Sequence, residues 1–216
     1  MISVLIPIYN GIEFIDESVK SVINQSYEHW EIIIGINGHS ENSNVYKKAL
    51  EYKSDKIKIY DLFNIKGKSN ALNDMINYCS YDWIALLDVD DIWLPDKLLK
   101  QISFIKKYDV IGTHCKYFGE LNCLPNIPLG DISKFDFLKT NPIINSSCII
   151  KKNLAIWDSN NELEDYDLWL KLRKQNKKFY NVPDILVFHR IHKKSYFNNT
   201  NYLKVNDLKK KYINNI

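Results

Sequence analysis

Three carboxylates fall within four positions at Asp88-Val89-Asp90-Asp91. Crowded anions repel one another, so their ionised state calls for solvent or a compensating cation. A divalent metal is the natural compensator, because hard carboxylate oxygens suit Mn2+ or Mg2+, ions that keep open positions for water and substrate phosphates. The competing reading is a turn or helix start with Asp91 as its cap. A second acidic group, Glu164, Asp165 and Asp167, heads a segment whose apolar positions Leu168, Trp169 and Leu172 have helical spacing. The helix dipole alone explains carboxylates in a first turn, so this spacing does not by itself assign them chemistry. Gly67-Lys68 opens another helical pattern and joins free backbone N–H groups to a point positive charge, which suits phosphate but also suits an ordinary exposed lysine. Asn37-Gly38-His39 is equally open between a plain turn and a contact with a nucleotide.

Regular structure has to hold these groups in place. Ser3 to Tyr9, Trp30 to Ile36, Ile57 to Leu62 and Trp83 to Leu87 are short, nearly continuous apolar runs, as expected of strands buried on both faces of a parallel sheet. Between them lie helical patterns at Ile12, Ile15, Val19, Val22 and Ile23, at Val45 to Tyr52 and at Ser69 to Cys79. The run at Trp83 empties directly into Asp88, and in open α/β sheets ligands collect beyond the carboxyl ends of strands. Pro95 suits the first residue of a helix reaching Lys107, and Asp109 to Tyr117 reads as a further strand. Asn122 to Gly130, with Pro125 and Pro128, reads as a loop near the site entrance. The pattern predicts one α/β domain over residues 1–200, with a mostly parallel central sheet flanked by helices. Residues 201–216 follow as an amphipathic tail, with apolar Tyr202, Val205, Leu208 and Tyr212 set among lysines 204, 209, 210 and 211. Packing on the domain or pairing with a second subunit is the favoured use of that tail, ahead of contact with an anionic membrane.

Composition narrows the classes. The 216 residues carry a formal charge of only +3, with lysines scattered rather than gathered into the footprint of a nucleic-acid binder. Cys79, Cys115, Cys123 and Cys148 show no zinc-ligand spacing and no disulfide framework, and no early apolar stretch reaches bilayer-spanning length. The expectation is a soluble, cytoplasmic protein with reduced thiols. Asn24-Gln25-Ser26, Asn145-Ser146-Ser147 and Asn198-Asn199-Thr200 fit the glycosylation pattern only by chance in an Asn-rich chain. Trp30, Trp83 and Trp157 read as core; Trp93 and Trp169 are divided between helix packing and a flat face for a sugar.

Taken in order, five segments resemble family 2 glycosyltransferases of the GT-A, Rossmann-like fold. They are Ser3-Val4-Leu5-Ile6-Pro7-Ile8-Tyr9-Asn10, Gly67-Lys68-Ser69-Asn70-Ala71-Leu72-Asn73, Leu87-Asp88-Val89-Asp90-Asp91-Ile92-Trp93-Leu94-Pro95, Glu164-Asp165-Tyr166-Asp167-Leu168-Trp169-Leu170, and His189-Arg190-Ile191-His192 with Ser195. The resemblance implies a nucleotide pocket at Pro7, Tyr9, Asn37, Lys68, Asp88 and Asp90. It further implies a Mn2+ or Mg2+ ion held by Asp90, Asp88 and His192, and an acceptor-side base at Asp165 beside Glu164. With a single candidate base, the implied reaction inverts the anomeric carbon of a nucleotide sugar as it passes to a glycan, lipid-linked or protein-linked acceptor. One departure stands out: Ile36-Asn37-Gly38-His39 occupies the place of the family's usual Asp-Asp-Gly-Ser, so a UDP-sugar is favoured while GDP and dTDP stay open. A nucleotidyltransferase and a non-catalytic nucleotide-sugar-binding module are the rival readings.

Overall fold

The computed structural model describes residues 1–193 and 202–213; Ser195 and the pattern at Asn198 to Thr200 lie outside the described residues. In chain order the elements are β1 (Ile2–Ile8), α1 (Ile15–Ile23), β2 (Trp30–Asn37), α2 (Asn44–Leu50), β3 (Ile57–Leu62), α3 (Lys68–Met75), β4 (Trp83–Leu86), β5 (Ile92–Trp93), α4 (Lys97–Ile102), β6 (Val110–Gly119), β7 (Gly130–Asp131), β8 (Ile149–Lys151), α5 (Glu164–Lys174), β9 (Phe179–Ile191) and α6 (Tyr202–Ile213). One mixed sheet runs β3-β2-β1-β4-β8-β6-β9-β5, with β7 also on β9. Its long pairings, β1 with β2 and β4, β2 with β3, and β6 with β9, are parallel; the short ones through β8, β5 and β7 are antiparallel. It is the mostly parallel, helix-flanked, single-domain sheet expected from the sequence.

Alternation along the strands separates two cores. Val4, Ile6 and Ile8 of β1 and Ile32, Ile34 and Ile36 of β2 face Ile15, Val19 and Val22 of α1 and Leu98 of α4. Leu5 and Ile33 point to the opposite face, against Ala71, Leu72 and Met75 of α3 and Leu168, Trp169 and Leu172 of α5. Both faces being covered is what the continuous apolar runs required. Tail helix α6 docks on the second face through buried Leu208, with Val205 and Tyr212 packed beside it. Its lysines are drawn into ion pairs, Lys204 with Glu162 and Lys211 with Asp158 and Asp167.

Several expectations shift. The helix expected from Pro95 to Lys107 is confined to α4, Lys97–Ile102, and turns follow it. Ile23, expected on the apolar face of α1, is exposed. Trp93 and Trp169 are buried, so neither offers a face to a sugar. Trp93 instead donates from Nε1 to the carbonyl of Ser146 at 2.7 Å.

Candidate active site

Because β1, β2, β4, β6 and β9 all run the same way, their carboxyl ends share one edge of the sheet. The residues singled out above gather there or at the helix starts beside it, the usual place for a ligand in an open α/β sheet. Pro7 is half-buried within β1, opposite Gly35, and exposed Tyr9 follows the strand. At the end of β2, Asn37 is buried and donates from Nδ2 to the carbonyl of Gly67 at 3.2 Å, tying the β2 end to the start of α3. Gly38 has φ of +73°, and a Cβ there would stand 2.6 Å from the Tyr9 ring. No other residue fits under that ring without displacing it. His39 Nε2 lies 2.5 Å from the Tyr9 carbonyl, closing the lip.

Helix α3 starts after Gly67, whose φ of +83° favours glycine and whose Cα faces open space. Lys68, its first residue, bridges the two acidic groups: Nζ is 2.8 Å from Asp88 Oδ1 and 3.1 Å from Glu164 Oε1. Burial pulls this ammonium down, but the two carboxylates outweigh burial and hold it well above the ordinary lysine range.

Each carboxylate of the first acidic group has a separate setting. Asp88 accepts from Asn145 Nδ2 at 3.2 and 3.1 Å and from Ser146 Oγ at 3.3 Å, while its own N–H donates to Ser146 Oγ at 3.0 Å. Burial pushes its carboxyl up, yet Lys68 and Asn145 prevail and hold it below the usual range. Asp90 has His192 Nε2 3.0 Å from its Oδ2, and its carbonyl accepts from Arg190 Nε at 2.8 Å. Burial, then repulsion from Asp91 and Asp88, raises the Asp90 carboxyl. Asp91 is fully buried against β9, bonded by the Arg190 N–H at 2.8 Å and by His189 Nδ1 at 2.8 Å, so it anchors β9 and caps no helix. Burial pulls the His189 imidazole down, but Asp91 carries it up to about 9, which leaves it charged at neutral pH.

Of the three expected metal ligands, Asp90 and His192 meet, while Asp88 turns to Lys68 and Asn145. Lys68 is the reason, since it neutralises Asp88 directly. Among the described residues, no three His, Cys, Asp or Glu side chains converge as a ready-made ligand set. Of the donor types that do meet, the Asp90 carboxylate suits Mn2+ or Mg2+ as part of a shell that substrate phosphates and water complete, and the His192 imidazole is the softer, nitrogen donor beside it. The raised Asp90 carboxyl is in keeping with a place where a dication would relieve repulsion.

The second acidic group splits in the same way. Glu164 meets Lys68. Asp165 accepts from the Tyr166 N–H at 2.6 Å and from Asn141 Nδ2 at 3.1 Å, and burial followed by Glu164 pushes its carboxyl up to about 6. Asp167 is buried and turned away, its Oδ1 bonded by the Tyr212 hydroxyl at 2.8 Å and Lys211 Nζ at 3.0 Å of α6. Asn141, Asn145 and Ser146 were not among the expected site residues. They lie in the irregular stretch between β7 and β8, where the only local signal was a chance glycosylation pattern at Asn145.

The family described as glycosyl transferase family 2 matches residues 3–199, and the chain belongs to that family of glycosyltransferases. The O-antigen biosynthesis glycosyltransferase WbnJ of Escherichia coli is 30% identical over 237 residues, covering 100% of this chain and 92% of WbnJ. Among solved structures, S. aureus TarS in complex with UDP-GlcNAc superposes with a TM-score of 0.77 at 16% identity, over 99% of this chain and 66% of that one. The mannosyltransferase PcManGT from Pyrobaculum calidifontis, in complex with GDP-Man and Mn2+, gives 0.69 at 13% identity, over 91% and 59%. The two structural likenesses establish the GT-A fold, and this chain spans about two thirds or less of each of those chains.

Proposed function

We propose that the chain transfers a sugar from a nucleoside-diphosphate donor to an acceptor hydroxyl, with inversion at the anomeric carbon and with dependence on a divalent metal. The observation that carries this reading is the unequal treatment of the two carboxylates at the head of α5. Glu164 is neutralised by Lys68, whereas Asp165 has only neutral hydrogen-bond donors and a carboxyl raised to about 6. A carboxylate of that basicity, ionised at neutral pH, is suited to accept the proton of an attacking hydroxyl.

The donor would lie across the ends of β1, β2 and β4. Pro7, Tyr9 and Asn37 border its nucleoside, and Lys68 with the free N–H groups at the start of α3 faces its diphosphate. Asp90 and His192 would hold Mn2+ or Mg2+, with Asp88 beside them. When bound, the ion supplies positive charge against the leaving diphosphate. Asp165 accepts the acceptor proton from the opposite face, which gives inversion. A UDP-sugar is the favoured donor, with GDP- and dTDP-sugars as alternatives. Support comes from the UDP-GlcNAc in TarS and the GDP-Man with Mn2+ in PcManGT. The role of WbnJ in O-antigen biosynthesis favours a glycan acceptor, lipid-linked or protein-linked. No helix among the described residues is long and apolar enough to cross a membrane. The cytoplasmic location belongs to this proposal, with four unpaired cysteines in its favour.

The test is a screen of UDP-, GDP- and dTDP-sugars with Mn2+ or Mg2+, read by thermal shift and by release of nucleoside diphosphate. A true donor at a hundredfold excess over its Kd raises apparent stability by about 2.7 kcal/mol. Metal-dependent release of nucleoside diphosphate is expected. Binding without release identifies a binding module, and release of sugar 1-phosphate, the leaving group when the α-phosphorus is attacked, identifies a nucleotidyltransferase.

A further inference from the structure

The carboxylates around Asp165 are matched to cationic or imidazole groups: Asp88 and Glu164 to Lys68, Asp90 to His192, Asp91 to His189 and Asp167 to Lys211. Asp165 is treated differently. Its Oδ1 accepts from the Tyr166 N–H and its Oδ2 from the side-chain amide of Asn141, both neutral donors. Lys68 acts on it only through space.

The orientation of the Asn141 amide follows from its neighbours. Nδ2 faces the Asp165 carboxylate at 3.1 Å, and Oδ1 accepts from the Ile143 N–H at 3.4 Å. A flipped amide would set an oxygen against a carboxylate oxygen and an NH2 against an N–H, so only one orientation satisfies both ends. The segment is also tied down from behind, because the Pro142 carbonyl accepts from Nδ2 of fully buried Asn181 in β9 at 2.8 Å.

We infer that Asn141 is a positioning residue for Asp165: its amide fixes the rotation of the carboxylate and moderates its basicity without supplying a cation. The inference rests on the reading of Asp165 as the acceptor-side base. A donor to the ionised form lowers a carboxylate's proton affinity, and a charged donor lowers it further. An amide at this place therefore keeps the base ionised near neutral pH yet able to take a proton. An ammonium or guanidinium would hold it ionised but leave it a weak base. The rise to about 6 that burial and Glu164 produce is what remains with the amide in place.

The full chain labelled with 13C at aspartate carboxyls tests this directly, the Asp165 signal being assigned by its loss in Asp165→Asn. The wild-type midpoint is expected near 6. Asn141→Leu, similar in volume but without a donor, should raise it by about one pH unit, the scale of one lost hydrogen bond to a charged group. Asn141→Asp, which sets a second carboxylate against the first, should raise it further and serves where the leucine variant melts early. Turnover with the donor chosen by the screen supplies the second readout. Asn141→Leu should lower kcat at pH 7 and move the acid limb of its pH profile upward, with donor Kd unchanged. An unshifted midpoint in folded Asn141 variants, with Asp165→Asn inactive, overturns the role of Asn141 alone. Undiminished turnover in Asp165→Asn overturns the base itself, and with it the catalytic meaning of Asn141.

Discussion

Asp88, Asp90 and Asp91 at the end of β4, and Glu164, Asp165 and Asp167 at the head of α5, divide their labour in the same order. The first member of each meets Lys68. The second keeps a raised carboxyl. The third is buried and anchors a distant element, β9 for Asp91 and α6 for Asp167. The difference lies in the partners of the middle residue. Asp90 stands beside an imidazole and two further carboxylates, an anionic setting that a dication relieves, whereas Asp165 is held by two amide donors and keeps its affinity for a proton. On the proposed function, two acidic triplets on one sheet edge thus separate into a place for a cation and a place for a proton, decided by neighbours and not by carboxylate count.

The sharpest way to break that comparison is to neutralise each middle residue. Asp165→Asn is expected to lower kcat by about 10²–10⁴-fold with donor affinity nearly unchanged, the signature of a group that acts mainly in the transition state. Asp167→Asn should keep turnover below its melting temperature, because its carboxylate faces α6. If the two outcomes are exchanged in steady-state assays, the base has been assigned two positions too early.

Asp90→Asn should act on binding instead. Loss of one hard, charged ligand is expected to weaken Mn2+-dependent nucleotide affinity by more than about 10–100-fold, the range found when even outer-shell partners of metal ligands are removed. Titration calorimetry of UDP and GDP with and without Mn2+ reads this. Equal metal-dependent affinity in wild type and variant would assign both triplets the same, non-metal role.

The parallel half of the sheet was legible because its strands are long, continuous and interrupted by strong helical periods, so β1, β2, β4 and α3 fell where expected. The residues there with backbone consequences, Gly38 and Gly67, carried their own signal. Between β6 and α5 the chain makes short antiparallel strands and an irregular stretch, and periodicity has nothing to register there. Asn141, Asn145 and Ser146 belong to that stretch, and what brings them to Asp165 and Asp88 is tertiary: Trp93 and Gln101 bind the carbonyls of Ser146 and Ser147, and Asn181 holds Pro142. The separate fates of Asp165 and Asp167 were likewise hidden, since carboxylates within one first turn look alike until α6 is seen to cover one of them.

The third members of the triplets are predicted to matter for stability. Asp167→Asn removes the charge opposite Lys211 and weakens the bond from Tyr212, at a cost of about 1–3 kcal/mol for a buried hydrogen-bonded carboxylate. Tyr212→Phe should cost a similar or smaller amount, and the double variant less than the sum, because both changes remove the same contact. Urea unfolding measures these values. Fully additive losses would mean that α6 is held by its apolar face alone.

The smallest effect concerns Asp165 again, now as a burden on the fold. Its carboxyl titrates near 6 in the folded chain against an ordinary 3.8, so the folded state binds the proton more tightly than the unfolded one. That stabilisation is fully present below about pH 3.8 and is lost as the pH rises through 6. At pH 8 the wild type therefore carries an ionised carboxylate next to Glu164, which a neutral amide would not. Asp165→Asn gives up one of the two hydrogen bonds to the carboxylate, so the net gain in stability at pH 8 is expected to be no more than about 1 kcal/mol, a few degrees in Tm. The sign should change with pH: the variant melts above wild type at pH 8, and at or below it at pH 4, where Asp165 is largely protonated in the folded chain. Melting curves at those two pH values decide the matter. A variant less stable than wild type at both would show that the Asp165 carboxylate is held favourably in the fold, in which case its retention needs no catalytic explanation.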